Sequence, residues 1–487
     1  MTIKDLKPAG VWNAFYALTQ IPRPSGHTEA VANFLVNFAK ENGAEAFIDE
    51  AGNVVMRAAA TPGYENRECV VLQAHMDMVP QKLDSKEHNF ETDPIETWID
   101  GDWVKAKDTT LGADDGMGVA FAMAIIADKN IPHGPLEVLV TRDEETGMYG
   151  AFALKPGELT GKYLLNIDSE TEGEITIGCA GGMDINATLE YQEEPIEAEG
   201  MKAYSIEIDG LLGGHSGLEI NQGRANAIKL LARVLFELVS KQDMQLCSWC
   251  GGNMRNAIPR SGKAVVVVDA EEAQTLIDTV KQCEATFRNE YKDIEKQPVT
   301  ITVNECDVPA VGIPEEIGVN IVNVVMAARD GVLRYIPTIP SIVETSVNLS
   351  IIKVGEGKSE IAMLARSATD SVKEYLCNEL VAGYAMAGMK VSLTGGYSGW
   401  QPNTSSPFVA LMGDVYKKMY GEEAKVLVVH AGLECGILGP KYPDMDMASI
   451  GPTLLSPHTP SERCYIPSVG RSFDYICEIL KEIPEKK

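Results

Sequence analysis

Three short apolar runs in the first third of the chain each end on acidic or imidazole side chains, and this constrains the fold more than any other feature. Residues 69–74 run into His75-Met-Asp77, residues 136–141 into Asp143-Glu144-Glu145, and residues 163–167 into Asp168. Runs of this length without clean alternation suit strands covered on both faces, as in a parallel sheet flanked by helices. Apolar positions Ala30, Phe34, Leu35 and Phe38 mark a helical face ahead of these runs, and residues 116–127 supply a second helix between two of them. The order is α/β and predicts a mostly parallel sheet whose ligand cleft lies at the carboxyl ends of its strands.

Near residue 185 the rhythm changes. Residues 204–209 alternate like a half-exposed strand, a glycine-rich turn follows at 210–217, and Ala227, Leu230, Leu231, Val234, Leu235 and Leu238 form one helical face. Strands are then expected at 264–268, 298–303 and 343–353, with helices at 271–291, 314–329 and 359–382. This places an inserted α+β domain at 185–390 inside a catalytic domain built from 1–184 and 391–487. In its second part, helices at 407–419 and 471–483 and a strand at 425–430 restore the α/β pattern.

Composition narrows the function classes. Lys plus Arg number 42 against 70 Asp plus Glu, a net charge of −28, which repels phosphate backbones and disfavours a nucleic-acid partner. No stretch approaches the roughly 20 apolar residues of a membrane span, and the amino terminus lacks the pattern of a secretory signal. Ten cysteines in 487 residues read as free thiols of a reducing compartment, and Cys247-Ser-Trp-Cys250 lacks the second pair of a zinc ribbon. A soluble cytoplasmic protein is the expectation.

A fourth acidic pair, Asp114-Asp115, precedes the helix at 116–127. Taken singly, His75 reads as a structural histidine, Asp143–Glu145 as a solvated loop and Asp114-Asp115 as a turn. Together at strand ends they cannot all stay ionised without countercharge, which protonated acids, an arginine or bound cations could supply. Imidazole and carboxylate donors without thiolate suit zinc, with manganese or cobalt as substitutes.

His75-Met-Asp77, Gly112-Ala-Asp-Asp-Gly116, Asp143-Glu-Glu-Thr-Gly147, Asn166-Ile-Asp168 and Ser456-Pro-His458-Thr-Pro together resemble the co-catalytic zinc metallopeptidases of the M20 family. Gly214-His-Ser-Gly217, Gly252–Pro259, Gly395–Pro402 and His430–Gly436 resemble its aminoacyl-histidine dipeptidase branch. The resemblance runs in order along nearly the whole chain. It implies a zinc-exopeptidase-like catalytic domain and a ferredoxin-like inserted domain that acts as a lid and dimerises.

In the site, His75 and Asp168 would hold one zinc ion, Glu145 and His458 the other, and Asp114 would bridge both, followed by a cis peptide. Asp77 would orient His75. Glu144 would be the general base for a metal-bridging water, and the adjacent roles of Glu144 and Glu145 require a turn directly after the strand. His215 would stabilise the oxyanion, in its own or a partner subunit's site. Arg366, on the expected helix, and Asn256 would hold the substrate, and Gly432 would let its backbone approach. The implied activity is hydrolysis of Xaa-His and other dipeptides by a homodimer. The alternative is a related amidohydrolase with the same cage: an aminoacylase, a tripeptide aminopeptidase or a carboxypeptidase. His27, His88 and His133 match no motif, and His430 with Glu434 suggests a small polar network.

Overall fold

The computed structural model describes residues 2–486, and its contacts divide the chain into two units. The first comprises the chain up to Cys179, Trp400–Val428 and the residues from Leu433 onward. Its main sheet has eight strands in the order Glu45–Ile48, Val54–Ala58, Leu136–Thr141, Val70–His75, Tyr163–Asn166, Asp446–Ser449, Glu174–Cys179 and Lys425–Val429. Pairing is parallel among the four central strands, where Val70–His75 lies between Leu136–Thr141 and Tyr163–Asn166 and the latter meets Asp446–Ser449. Antiparallel strands border this centre on both sides.

The three apolar runs are these central strands, and every residue of all three is buried. That is why they read as continuous hydrophobic runs. The helix Ala113–Ala127 is apolar almost all round, and fourteen of its residues are buried. Its amino end therefore delivers Asp114 and Asp115 to the same sheet edge as the strand ends.

The second unit, Ala180–Gly399 with Val429–Gly432, is a nine-stranded antiparallel sheet. Helices Ala227–Val239, Ala273–Glu290, Glu315–Ala327 and Asp370–Met386 share one hydrophobic core with it. Leu230, Leu231, Val234, Leu235 and Leu238 are buried, as the apolar face of residues 227–238 predicts. Asn226 caps the first of these helices by accepting from the backbone N–H of Ile228 and Lys229. The Lys229 ammonium donates to the carbonyls of Val325, Met326 and Ala328 and closes the carboxyl end of the third helix.

Two expectations need correction. Residues 359–382 do not form one helix: a strand, Lys358–Ser367, is followed by the helix Asp370–Met386. The stretch is rich in good helix formers, but it is paired on both sides, with Ile339–Gly355 and Gly181–Glu190, and these ladders override local propensity. Arg366 consequently sits on a strand. The inserted sheet also reaches past residue 390, because Lys390–Tyr397 pairs with Gly181–Glu190 as its edge strand.

Candidate metal centre

The strand Val70–His75 ends with His75 pointing into a cluster of carboxylates. His75 Nε2 lies 3.1 Å from Asp114 Oδ1 and 3.5 Å from Asp168 Oδ1. The other Asp114 oxygen, Oδ2, lies 3.0 Å from His458 Nε2, which is in turn 2.9 Å from Glu145 Oε2. One carboxylate thus separates two groups of donors: His75 with Asp168, and His458 with Glu145. Among the described residues, two donor sets able to hold an ion are His75–Asp114–Glu145 and His75–Asp115–Asp168.

The turn that separates Glu144 from Glu145 is present. The strand Leu136–Thr141 stops, Asp143 takes a left-handed conformation (φ 53°), and the Glu144 carbonyl accepts from the N–H of Gly147 and Met148. Asp77 holds this turn directly: its two oxygens accept from the backbone N–H of Glu144 at 3.0 Å and Glu145 at 3.3 Å. Oδ2 also accepts from Ser25 Oγ, and Oδ1 faces His75 Nδ1 at 3.4 Å. Among the described residues, four of the six non-glycine residues with positive φ are Asp143, Met148, Ser456 and His458. Backbone strain is therefore concentrated in the two loops that carry Glu144, Glu145 and His458.

Asp114 and Asp115 are joined by a cis peptide. Asp115, which has no role of its own among the sequence expectations, is buried and accepts from the backbone N–H of His75 and Gly118. A Cβ at Gly118 would stand 2.4 Å from Asp115 Oδ1, so this close approach requires glycine.

Two further groups were not legible in the sequence. Glu462 accepts from four successive backbone N–H groups, Leu111 to Asp114, at 2.7, 3.1, 2.7 and 3.4 Å. The Arg23 guanidinium is buried and donates to the carbonyls of Met76, Asp77 and Gly112. Both act across sequence separations that no local pattern carries.

The electrostatics are those of a site short of positive charge. Burial pushes Asp168 up to about 7 against the pull of His75, and burial also raises Glu144, Glu145 and Asp115. Hydrogen bonds to Asp114 and Glu145 push His458 up to about 11. Burial opposes protonation of His75, yet the Asp168 charge and hydrogen bonds to its carboxylate neighbours lift it well above its usual value.

Divalent cations fit these residues. Donors at the corners of a tetrahedron with bonds of about 2.0–2.1 Å stand about 3.3 Å apart, within the 2.9–3.5 Å range of the four contacts here. Among the described residues, the buried Glu145 Oε1 has no hydrogen-bond partner. The imidazole and carboxylate donor set suits zinc and its borderline relatives.

The remaining expected residues lie in the second unit. His215 pairs in a two-stranded ladder with Ala257, and the Asn256 carbonyl accepts from Ser216 N–H. His215 Nδ1 accepts from the N–H of Gly217 and Leu218, which places the ring proton on Nε2. A Cβ at Gly217 would stand 2.2 Å from the His430 carbonyl oxygen, so the segment carrying His430 and Gly432 presses on the His215 turn.

Arg366 is buried and donates to Tyr397 Oη, and its Nε has no hydrogen-bond partner among the described residues. His430 and Glu434 form no common network. His430 Nε2 meets Ser346 Oγ at 2.7 Å, while Glu434 belongs to the first unit and bonds Gln73 and Thr141.

The chain matches known proteins over nearly its whole length. The profile of Peptidase family M20/M25/M40 matches residues 71–482. The chain is 42% identical over 484 residues to the cytosol non-specific dipeptidase of Escherichia coli K12, covering 99% of both proteins. It superposes with a TM-score of 0.92 on the aminoacylhistidine dipeptidase of Vibrio alginolyticus, 41% identical, covering 100% of this chain and 99% of that one. Human carnosine dipeptidase 1 shares the fold at a TM-score of 0.52 and 12% identity, over 97% of this chain and 95% of that one. With matches that extend over most of its length, this chain belongs to peptidase family M20/M25/M40.

Proposed function

We propose that this protein is a two-zinc dipeptidase that hydrolyses Xaa-His and other short dipeptides, with manganese or cobalt able to replace zinc. The observation that carries this reading is the Asp114 carboxylate, whose two oxygens face two different imidazoles, each with a further carboxylate beside it. His75 and Asp168 would hold one ion, His458 and Glu145 the other, and Asp114 would serve both.

When bound, the cations supply Lewis acidity, polarising the scissile carbonyl and making water a better nucleophile. The chain's own groups do the rest. Asp77 holds the Glu144–Glu145 turn and orients His75, so that Glu144 faces the attacking water. Glu144 takes a proton from that water as its oxygen bonds to the carbonyl carbon, then delivers the proton to the leaving amine nitrogen as the C–N bond breaks. Burial raises the Glu144 carboxyl, which brings its affinity for the proton closer to that of the groups it serves.

In the second unit, the Nε2–H of His215 is the donor for the oxyanion. Arg366 and Asn256 bind the substrate, Arg366 through its terminal carboxylate, and Gly432 leaves room for its backbone. The working molecule is a homodimer joined through the inserted domain and resides in the cytoplasm. The ten free cysteines of the described residues suit a reducing compartment.

Hydrolysis of Xaa-His dipeptides, tripeptides and N-acyl amino acids, compared under the same conditions, tests the substrate class. Dipeptides are expected to have the highest kcat/KM; a preference for N-acyl amino acids would make the chain an amidohydrolase of the aminoacylase kind. Glu144→Gln should lower kcat by about 10²–10⁴-fold while zinc content stays at the parent level. Activity near that of the parent would remove Glu144 as the base.

A further inference from the structure

Beneath the donor cluster, the parallel strands carry a buried polar layer that none of the roles above uses. Gln73, Thr141, Asn166 and Ser449 lie on the four central strands, all fully buried. The sheet register sets them side by side, with Gln73 opposite Asn166, Asn166 opposite Ser449, and Thr141 opposite His75. Each of the first three precedes a proposed functional residue by two or three positions: Gln73 before His75, Thr141 before Glu144, Asn166 before Asp168. Glu434, also fully buried, closes the layer. Its Oε2 accepts from Gln73 Nε2 at 2.6 Å and from Thr141 Oγ1 at 2.5 Å.

The hydrogen bonds have a direction. Gln73 Oε1 accepts from Asn166 Nδ2 at 2.6 Å, and Asn166 Oδ1 accepts from the backbone N–H of Asp168 at 3.3 Å and from Ser449 Oγ. A primary amide can flip and offer either end, but Gln73 Nε2 also donates to the Ala74 carbonyl at 3.2 Å, and a carbonyl only accepts, so that end of the amide is the nitrogen. With Glu434 accepting from the Gln73 amide nitrogen, the Gln73 oxygen must face Asn166, and the Asn166 oxygen must face the Asp168 N–H. The reverse order would set an NH₂ group against that N–H.

We propose that Glu434 is a positioning residue of the metal centre: as an acceptor at the head of this chain, it fixes the strand ends that carry His75, the Glu144–Glu145 turn and Asp168. The inference rests on the metal-centre reading above. It extends that reading to a residue that touches neither substrate nor ion, and groups that orient metal ligands from behind commonly control affinity 10–100-fold.

The test uses the full-length protein, with Zn²⁺ as the probe. Zinc affinity is measured by competition with a chromophoric chelator, and kcat and KM on one dipeptide, for the parent, Glu434→Met and Glu434→Gln. Glu434→Met removes the acceptor at similar length and should weaken zinc binding about 10–100-fold and lower kcat, with KM unchanged. Glu434→Gln retains an acceptor oxygen and should stay within about threefold of the parent in both. Gln73→Met breaks the chain one link further on. It should reproduce the Glu434→Met changes, and the double variant should lose no more than either single one.

A Glu434→Met protein that melts earlier but keeps parental zinc affinity and kcat would overturn the proposal, leaving Glu434 a packing role. Glu434→Gln impaired as severely as Glu434→Met would overturn it as well. If Glu434→Met does not fold, Gln73→Met decides by the same criteria. A parent that binds no divalent ion would instead remove the metal-centre reading, and this inference with it.

Discussion

Asp77 organises more of the site than its spacing from His75 suggests. The residue pattern places it beside His75, and in the structure it also fixes the turn on which Glu144 and Glu145 part company. The residues that the sequence singles out, from His75 to His458, are those at the ends of apolar runs or inside compact motifs. Asp115, Arg23 and Glu462 escaped because their bonds go to backbone groups of distant segments. At this scale His430 makes a testable case. Burial, with the nearby Arg366 charge, lowers its imidazole to about 3, against an ordinary value near 6.5. The unfolded chain therefore binds a proton below pH 6.5 that the folded chain refuses, and stability falls as pH drops from 6.5 toward 3. Urea unfolding at pH 6.5 and 5.0 should show a loss in the parent that His430→Asn lacks, worth about 2 kcal/mol at 1.4 kcal/mol per pH unit. Equal losses in both proteins would show that His430 is not held neutral.

Among the elements, the strands of the central sheet were legible because burial on both faces leaves an unbroken apolar signature. The strand Lys358–Ser367 was not. Its inward residues Ile361, Met363 and Ala365 alternate as a strand demands, but Ala, Met, Leu and Glu are also good helix formers, and only the partner strands decide between the two. The helix Ala113–Ala127 depends on a residue more than 300 positions away, since Glu462 satisfies the N–H groups that open it. Glu462→Ala leaves those buried donors without an acceptor. It should cost about 2–4 kcal/mol, more than a typical surface substitution, and displace Asp114. Thermal melts with zinc titration check this; an unchanged melting temperature would mean that solvent reaches the loop.

For the whole molecule, the first unit folds around more acid than its own cations balance. The inserted unit was legible as a change of rhythm, but its edge strand Lys390–Tyr397 was not, because that strand is largely exposed and carries little apolar signal. Without metal, the folded chain holds protons on Asp168 to about 7 and on Glu434 to about 8, both through burial. The unfolded chain releases the same protons near pH 4. Raised acid pKa values cost stability as pH climbs from about 4 to 8, so chelated protein should melt at a lower temperature at pH 8 than at pH 6. Zinc at a hundred times its dissociation constant should restore about 3 kcal/mol. Equal melting temperatures with and without metal at both pH values would contradict this picture.

The central claim is that Asp114 joins two cation sites on which hydrolysis depends. Metal content by mass spectrometry, with dipeptide hydrolysis followed in parallel on the parent and on Asp114→Asn, tests it most directly. The account predicts two divalent ions per parent chain, activity that disappears on chelation and returns with zinc, and loss of both ions and activity in Asp114→Asn. Undiminished hydrolysis by protein stripped of metal, or by Asp114→Asn, would contradict it.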